Sequence, residues 1–123
     1  MAKILVVDDI RQVRENLQYF ISKSGHEVIT AKDGMEALDT LAAGGIDLVV
    51  TDLGMPNLNG YQLIDMLGNF RYLPLIVFAA YYNPKDINYK GPLRTLDKLM
   101  HHEEDVVKSI DNLLNTKLAK PVL

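Results

Sequence analysis

Three carboxylates stand where apolar runs stop. Ile4 to Val7 (ILVV) runs into Asp8 and Asp9, and Val49 to Thr51 (VVT) ends in Asp52, followed at once by the loop LGMPNLNG. Short, β-branched apolar runs of this kind suit buried parallel strands. In open α/β sheets, ligands bind outside the carboxyl ends of the strands. If the two runs lie side by side, Asp8, Asp9 and Asp52 crowd one edge. Like charges at close range repel, and each raises the pKa of the next unless a cation joins them. Oxygen-only ligands with few protein donors suit Mg2+, which keeps several waters. A carboxylate beside Mg2+ can also act as a nucleophile toward phosphorus and form an aspartyl phosphate. A polar turn explains any one of these acids; it does not explain three that meet.

The elements that must position them follow from periodicity. Ile10, Val13, Leu17, Phe20 and Ile21 recur at helical spacing, and Gly25 stops that helix. Glu27 to Ala31 (EVITA) reads as a second strand. Asp33 opens a helix with Glu36 three residues on as a capping box, an inward face of Ala37, Leu38 and Leu41, and Gly44 at its end. Ile46 to Thr51 is the third strand. Asn59 caps a helix with Leu63, Ile64 and Leu67 inward. Pro74 to Ala79 is the fourth strand and Leu93 to Leu96 a weak fifth. Val106, Val107, Ile110, Leu113, Leu114 and Leu118 stripe the last helix, whose positive N-terminal end carries Glu103, Glu104 and Asp105. Strands alternating with helices imply a parallel sheet covered on both faces. Between strands four and five there is room for only two turns of helix, from Pro84 to Tyr89.

The 123 residues fit one domain, 48% apolar and 24% charged, which is the ordinary globular balance. A net charge of −3 offers no footprint for non-specific nucleic-acid binding. With no cysteine, disulfides, thiolate metal sites and cysteine nucleophiles are excluded. MAKILVV does not read as a secretory leader, and no apolar run is long enough for a membrane span, so a cytoplasmic protein is expected. There is no Gly-rich phosphate loop and no nucleic-acid motif.

VVDD, then DLGMPNLNG, then PLIVFAA, then a lysine before the last helix together resemble the receiver domain of two-component response regulators. The resemblance covers essentially the whole chain. It implies an α/β fold: a flavodoxin-like, doubly wound, five-stranded parallel sheet in the order 2-1-3-4-5, here with a shortened fourth helix. It implies a receiver domain over residues 1–119, with 120–123 a tail or the start of a linker. By the same resemblance Asp52 is the phosphoacceptor. Asp9 binds Mg2+ directly, Asp8 binds it directly or through water, and the backbone carbonyl of Gly54 completes the protein ligands with Asp52. Lys98 pairs with a phosphoryl oxygen, and the backbone N–H groups of Gly54 and Ala80 point at the same group. Implied partners are a histidine kinase or phosphotransfer protein and a downstream target or fused output domain. The domain itself is not expected to be an enzyme. Pro56 is expected to stiffen the loop after Asp52, and Gly60 to allow close packing where the next helix starts.

Three positions depart from the family pattern. Ala79 replaces the Ser or Thr whose hydroxyl reaches the phosphoryl group, and a methyl cannot donate a hydrogen bond. Thr95 replaces the Tyr or Phe that moves with that hydroxyl. Leu99 replaces the proline after the lysine, so Lys98 is expected to approach by a different path. These changes keep a second reading open, a phosphorylation-independent interaction module. A metal-dependent phosphatase or flavin binder on a similar fold is a third; a phosphatase would need a second acid as proton donor, which Gly54 cannot be. Tyr81, Tyr82 and Tyr89 are read as covering the core where a full helix is missing, rather than as a partner surface. His101 and His102 are read as the entry to the last helix rather than as metal ligands.

Overall fold

Successive side chains of a strand point to opposite faces, so a strand that is apolar all round feeds two cores at once. The structure, a computed structural model, describes residues 1–118 and realises that arrangement. Strands β1 (Lys3–Val7), β2 (Glu27–Ala31), β3 (Leu48–Thr51), β4 (Leu75–Ala79) and β5 (Leu93–Asp97) form one parallel sheet in the order β2-β1-β3-β4-β5. Helices α1 (Arg11–Lys23), α2 (Gly34–Ala43), α3 (Gly60–Leu67) and α4 (Glu103–Leu118) cover it. Ile4, Val6, Leu48, Val50, Ile76 and Phe78 pack with α1 and α4, while Leu5, Val7, Val49, Leu75 and Val77 pack with α2 and α3.

The helix ends follow the local signals. Gly25 and Gly44 hold left-handed φ angles of 98° and 84° after α1 and α2, which only glycine adopts without cost. Asn59 and Gln62 form a reciprocal capping box on α3. At α2 the expected box is half formed. Asp33 accepts from the Glu36 N–H at 2.9 Å, but the Glu36 carboxylate takes the N–H of Lys32 instead of that of Asp33. The Leu118 side chain, expected in the apolar stripe of α4, and the tail 120–123 lie outside the described residues.

The connection from β4 to β5 is shorter in helix than expected: one 3-10 turn at Pro84–Asp86 and then irregular chain. Ile87 is buried and Tyr89 packs on the core from that irregular stretch, so the backbone is committed to turning these side chains inward rather than winding on. The Tyr89 hydroxyl donates to the Leu73 carbonyl, and burial pushes its pKa up to about 12. Tyr82 also packs on the core, as the reading of the tyrosines had it, but Tyr81 is 87% exposed. Among the described residues, no helix is long and apolar enough to cross a membrane.

Candidate functional site

The carboxyl edge of the sheet gathers the three acids through backbone pairing. The Asp8 N–H donates to Ala31 and the Asp52 N–H to Val7, each continuing its strand one residue beyond the ladder. Carboxylate oxygens of Asp8, Asp9 and Asp52 then lie within 4.8 Å of one another. Asp8 and Asp52 are buried and Asp9 is exposed. Lys98, at the end of β5, brings its ammonium to 2.7 Å from Asp8 Oδ2 and 3.3 Å from Asp52 Oδ2. Its own N–H donates to the Ala79 carbonyl at 2.8 Å, which holds the chain at the rim. No peptide bond among the described residues is cis, and the Leu99 N–H, which a proline would lack, donates to Asp97 Oδ1 at 2.7 Å. With Leu99 after it, Lys98 reaches Asp8 and Asp52 from an all-trans backbone.

Three carboxylates therefore face one ammonium. Burial pushes the Asp8 carboxyl above the usual range and outweighs the opposing pull of Lys98 and the Ile10 N–H; Asp52 adds repulsion. For Lys98 burial acts downward, but the hydrogen bond and charge of Asp8, with Asp52 behind it, hold the ammonium above its ordinary value. The ionised Asp8 is thus more costly in the folded protein than in the unfolded chain. That cost is absent at acid pH, where Asp8 is protonated in both states. It grows as pH rises through the ordinary carboxylate value and is complete above the raised one. Asp8→Asn is therefore expected to melt higher than the wild type at pH 7, with the gap closing as pH falls toward 3. Thermal unfolding across that range checks this; equal midpoints at pH 7 would mean the buried charge costs nothing.

The loop after β3 is pinned from a side the sequence reading missed. Asn57, in a left-handed conformation (φ 67°), donates its side-chain amide to Asp33 Oδ2 at 2.9 Å, and the Gly34 N–H donates to the Leu58 carbonyl at 3.1 Å. Asp33 so caps α2 and anchors the loop at once; the Glu36 N–H and then Asn57 hold its carboxyl below the usual range. Asparagine tolerates φ > 0, which is the one signal at Asn57 that could have found this. Gly54 and Ala80 line a crevice of about 480 Å3 with Asp9 and Tyr81, on the open side of the acid cluster. Ala79, the last residue of β4, is buried within the core on the α2/α3 side and carries only a methyl. Thr95 in β5 pairs with Val77 in β4, and burial holds the Tyr82 hydroxyl above the usual phenol range against the opposing pull of the Thr95 side chain. His101 and His102 precede α4 as expected, the His102 N–H donating to the Asp105 carboxylate at 2.9 Å.

This geometry agrees with the comparison against known families, in which residues 4–91 match the response regulator receiver domain. The chain belongs to that family. The matched stretch ends before β5 and does not include Lys98, whose place beside Asp8 and Asp52 is set by its contacts. Response regulator MprA of Mycobacterium tuberculosis is 44% identical over 79 residues, 63% of this receiver chain and 34% of that protein. The match spans about a third of the length of that curated relative. Among solved structures, a response regulator receiver domain protein from Clostridium thermocellum is 28% identical with a TM-score of 0.82, over 95% of this chain and 97% of its own. Response regulator protein TrrA from Thermotoga maritima, solved in complex with Mg2+ and BeF, is 26% identical with a TM-score of 0.79, over 92% of this chain and 99% of its own. Receiver domains are signalling modules, and the acid cluster found here is compatible with a Mg2+ site.

Proposed function

We propose that residues 1–119 form a phosphorelay receiver that accepts a phosphoryl group on Asp52 from a histidine kinase or phosphotransfer protein in the cytoplasm. The observation that carries this is the convergence of Asp8, Asp9 and Asp52 within 4.8 Å with Lys98 bridging two of them. An all-oxygen donor set with one exposed member fits a hard divalent cation that keeps part of its water. Asp8, Asp9, Asp52 and the Gly54 carbonyl would hold Mg2+. Bound there, the ion offsets negative charge on the transferred group.

The chain's own residues divide the remaining work. Asp52 Oδ1 accepts the Leu53 N–H at 2.7 Å, while Oδ2 is held only by the longer 3.3 Å contact with the Lys98 ammonium and serves as the nucleophile once that ammonium moves to the phosphoryl group. Its attack forms a P–O bond as the P–N bond to the donor imidazole breaks, the electron pair leaving on that nitrogen. Lys98 transfers its ammonium from the carboxylates to a phosphoryl oxygen. The N–H groups of Gly54 and Ala80 donate to the others. Signalling then runs through protein contacts to a downstream target or an output domain.

Ala79 favours a second reading, since no hydroxyl at the end of β4 can report the phosphoryl group. In that reading the domain is a phosphorylation-independent interaction module. One experiment separates the two: incubation with Mg2+ and a small phosphodonor, then the intact mass. A gain of one phosphoryl group, absent in Asp52→Asn, is expected. No gain at any Mg2+ concentration selects the interaction module.

A further inference from the structure

We propose that Arg14 is a positioning residue for the metal-binding acids: it locks the Asp8–Asp9 peptide and so sets Asp9 over Asp52. This rests on the proposed cation site. Asp9 is the exposed member of the cluster and has no side-chain hydrogen bond among the described residues, so its placement depends on its backbone. On the N-terminal side, the Asp8 carbonyl has left the strand ladder in a buried residue and needs a donor. Arg14 Nη1 supplies it at 2.7 Å, reaching back from α1. That is a short, charge-assisted contact. Because the peptide unit is planar, fixing this carbonyl fixes the nitrogen and Cα of Asp9. On the C-terminal side, the Ile10 N–H donates to Asp8 Oδ1 at 2.9 Å and closes an Asx turn around the same residue. Asp9 is held from both directions.

The cation is not there for an ion pair. Among the described residues no carboxylate lies within ion-pair distance of Arg14; Glu15, its neighbour in sequence, pairs with Arg11 at 2.7 Å. Arg14 also sits near the positive end of α1, whose first turn carries no acid. There the helix dipole disfavours a cation. A half-buried arginine in that place, spending a guanidinium N–H on one carbonyl, fits a role in holding the turn.

The test uses Arg14→Met, which keeps the aliphatic stem, and Arg14→Lys, which keeps a charged donor. In the metal-free full chain, 15N–1H NOE values at Asp9 and Ile10 are expected to fall in Arg14→Met, while those in β1 stay unchanged. Mg2+ affinity, read from the amide shifts of Asp9 and Asp52, is expected to weaken on the order of tenfold, as for other residues that orient metal ligands. Arg14→Lys is expected to recover part of both effects. Unchanged NOE values with wild-type Mg2+ affinity in Arg14→Met overturn the proposal. If Arg14→Met does not fold, Arg14→Gln takes its place under the same criteria. A wild-type protein that fails to bind Mg2+ removes the metal reading, and the metal-free NOE comparison still decides whether Arg14 holds the turn.

Discussion

Gly60→Ala is expected to destabilise the protein by about 3 kcal/mol, at the upper end of what overpacking costs. A Cβ at Gly60 would stand 2.1 Å from the Asp52 carbonyl oxygen and 2.6 Å from the Leu53 Cα. Both are backbone atoms, so no side chain can swing aside. The Gly60 N–H donates to the Leu53 carbonyl at 2.8 Å, which ties the first turn of α3 to the end of β3. Relief of the clash must therefore move α3 or move Asp52. The first loses packing of Leu63, Ile64 and Leu67; the second displaces the proposed nucleophile. For a domain of this size the loss corresponds to a fall in melting temperature of roughly 10 °C. Gly54, six residues earlier in the same loop, has open space where its Cβ would go and no positive φ. Gly54→Ala is expected to stay within about 1 kcal/mol of wild type. Urea unfolding of the two variants checks the contrast. Equal midpoints would show that the β3–α3 junction relaxes freely.

Lys98→Met is expected to cost about 3 kcal/mol at pH 7, the lower end for breaking a buried ion pair because the lysine side chain is 18% exposed. Asp8 has almost no contact with water, so removing the ammonium leaves its charge with only the Ile10 N–H in partial compensation. The same change removes the cation proposed to receive the phosphoryl group, and phosphoryl gain from a small donor is expected to slow severely. Two features distinguish this from a simple packing defect. The stability loss should shrink as pH falls, since protonated Asp8 needs no counter-charge. Asp8→Asn in the Lys98→Met chain should recover most of it. Denaturant unfolding of the single and double variants at pH 7 and pH 4 measures both. A Lys98→Met chain as stable as wild type at pH 7 would make Lys98 an ordinary surface lysine.

The two glycines show where sequence and structure part. Both sit in LGMPNLNG and both invite the same argument about tight loops. Only the distance from α3 to the end of β3 decides that Gly60 is sterically required and Gly54 is not. Gly34 is a sharper case. It reads simply as the first residue of a capped helix, yet its Cβ would lie 2.4 Å from the Leu58 carbonyl oxygen. The tyrosines divide in the same way. Tyr82 and Tyr89 pack on the core and Tyr81 stands in solvent, although YYNPKDINY offers no periodicity that separates them.

What depends on near neighbours in the chain was legible from the residues alone. Apolar runs too short for helices made strands, 3.6-residue stripes made the faces of α1 to α4, and Asp33, Asn59, Gly25 and Gly44 marked helix ends. Alternation of the two element types then restricted the fold to a parallel sheet with its acids at one edge. Contacts between residues far apart in the chain became visible only once the fold was closed. Lys98 meets Asp8 across 90 positions and Asp52 across 46. Asn57 reaches Asp33, and Arg14 turns back to a carbonyl that no pattern of side chains announces. Periodicity reports which face of an element is buried, because burial is a property of the element. It does not report which polar atom completes a neighbour's hydrogen bonding, because that partner is fixed only when strands and helices have closed around it.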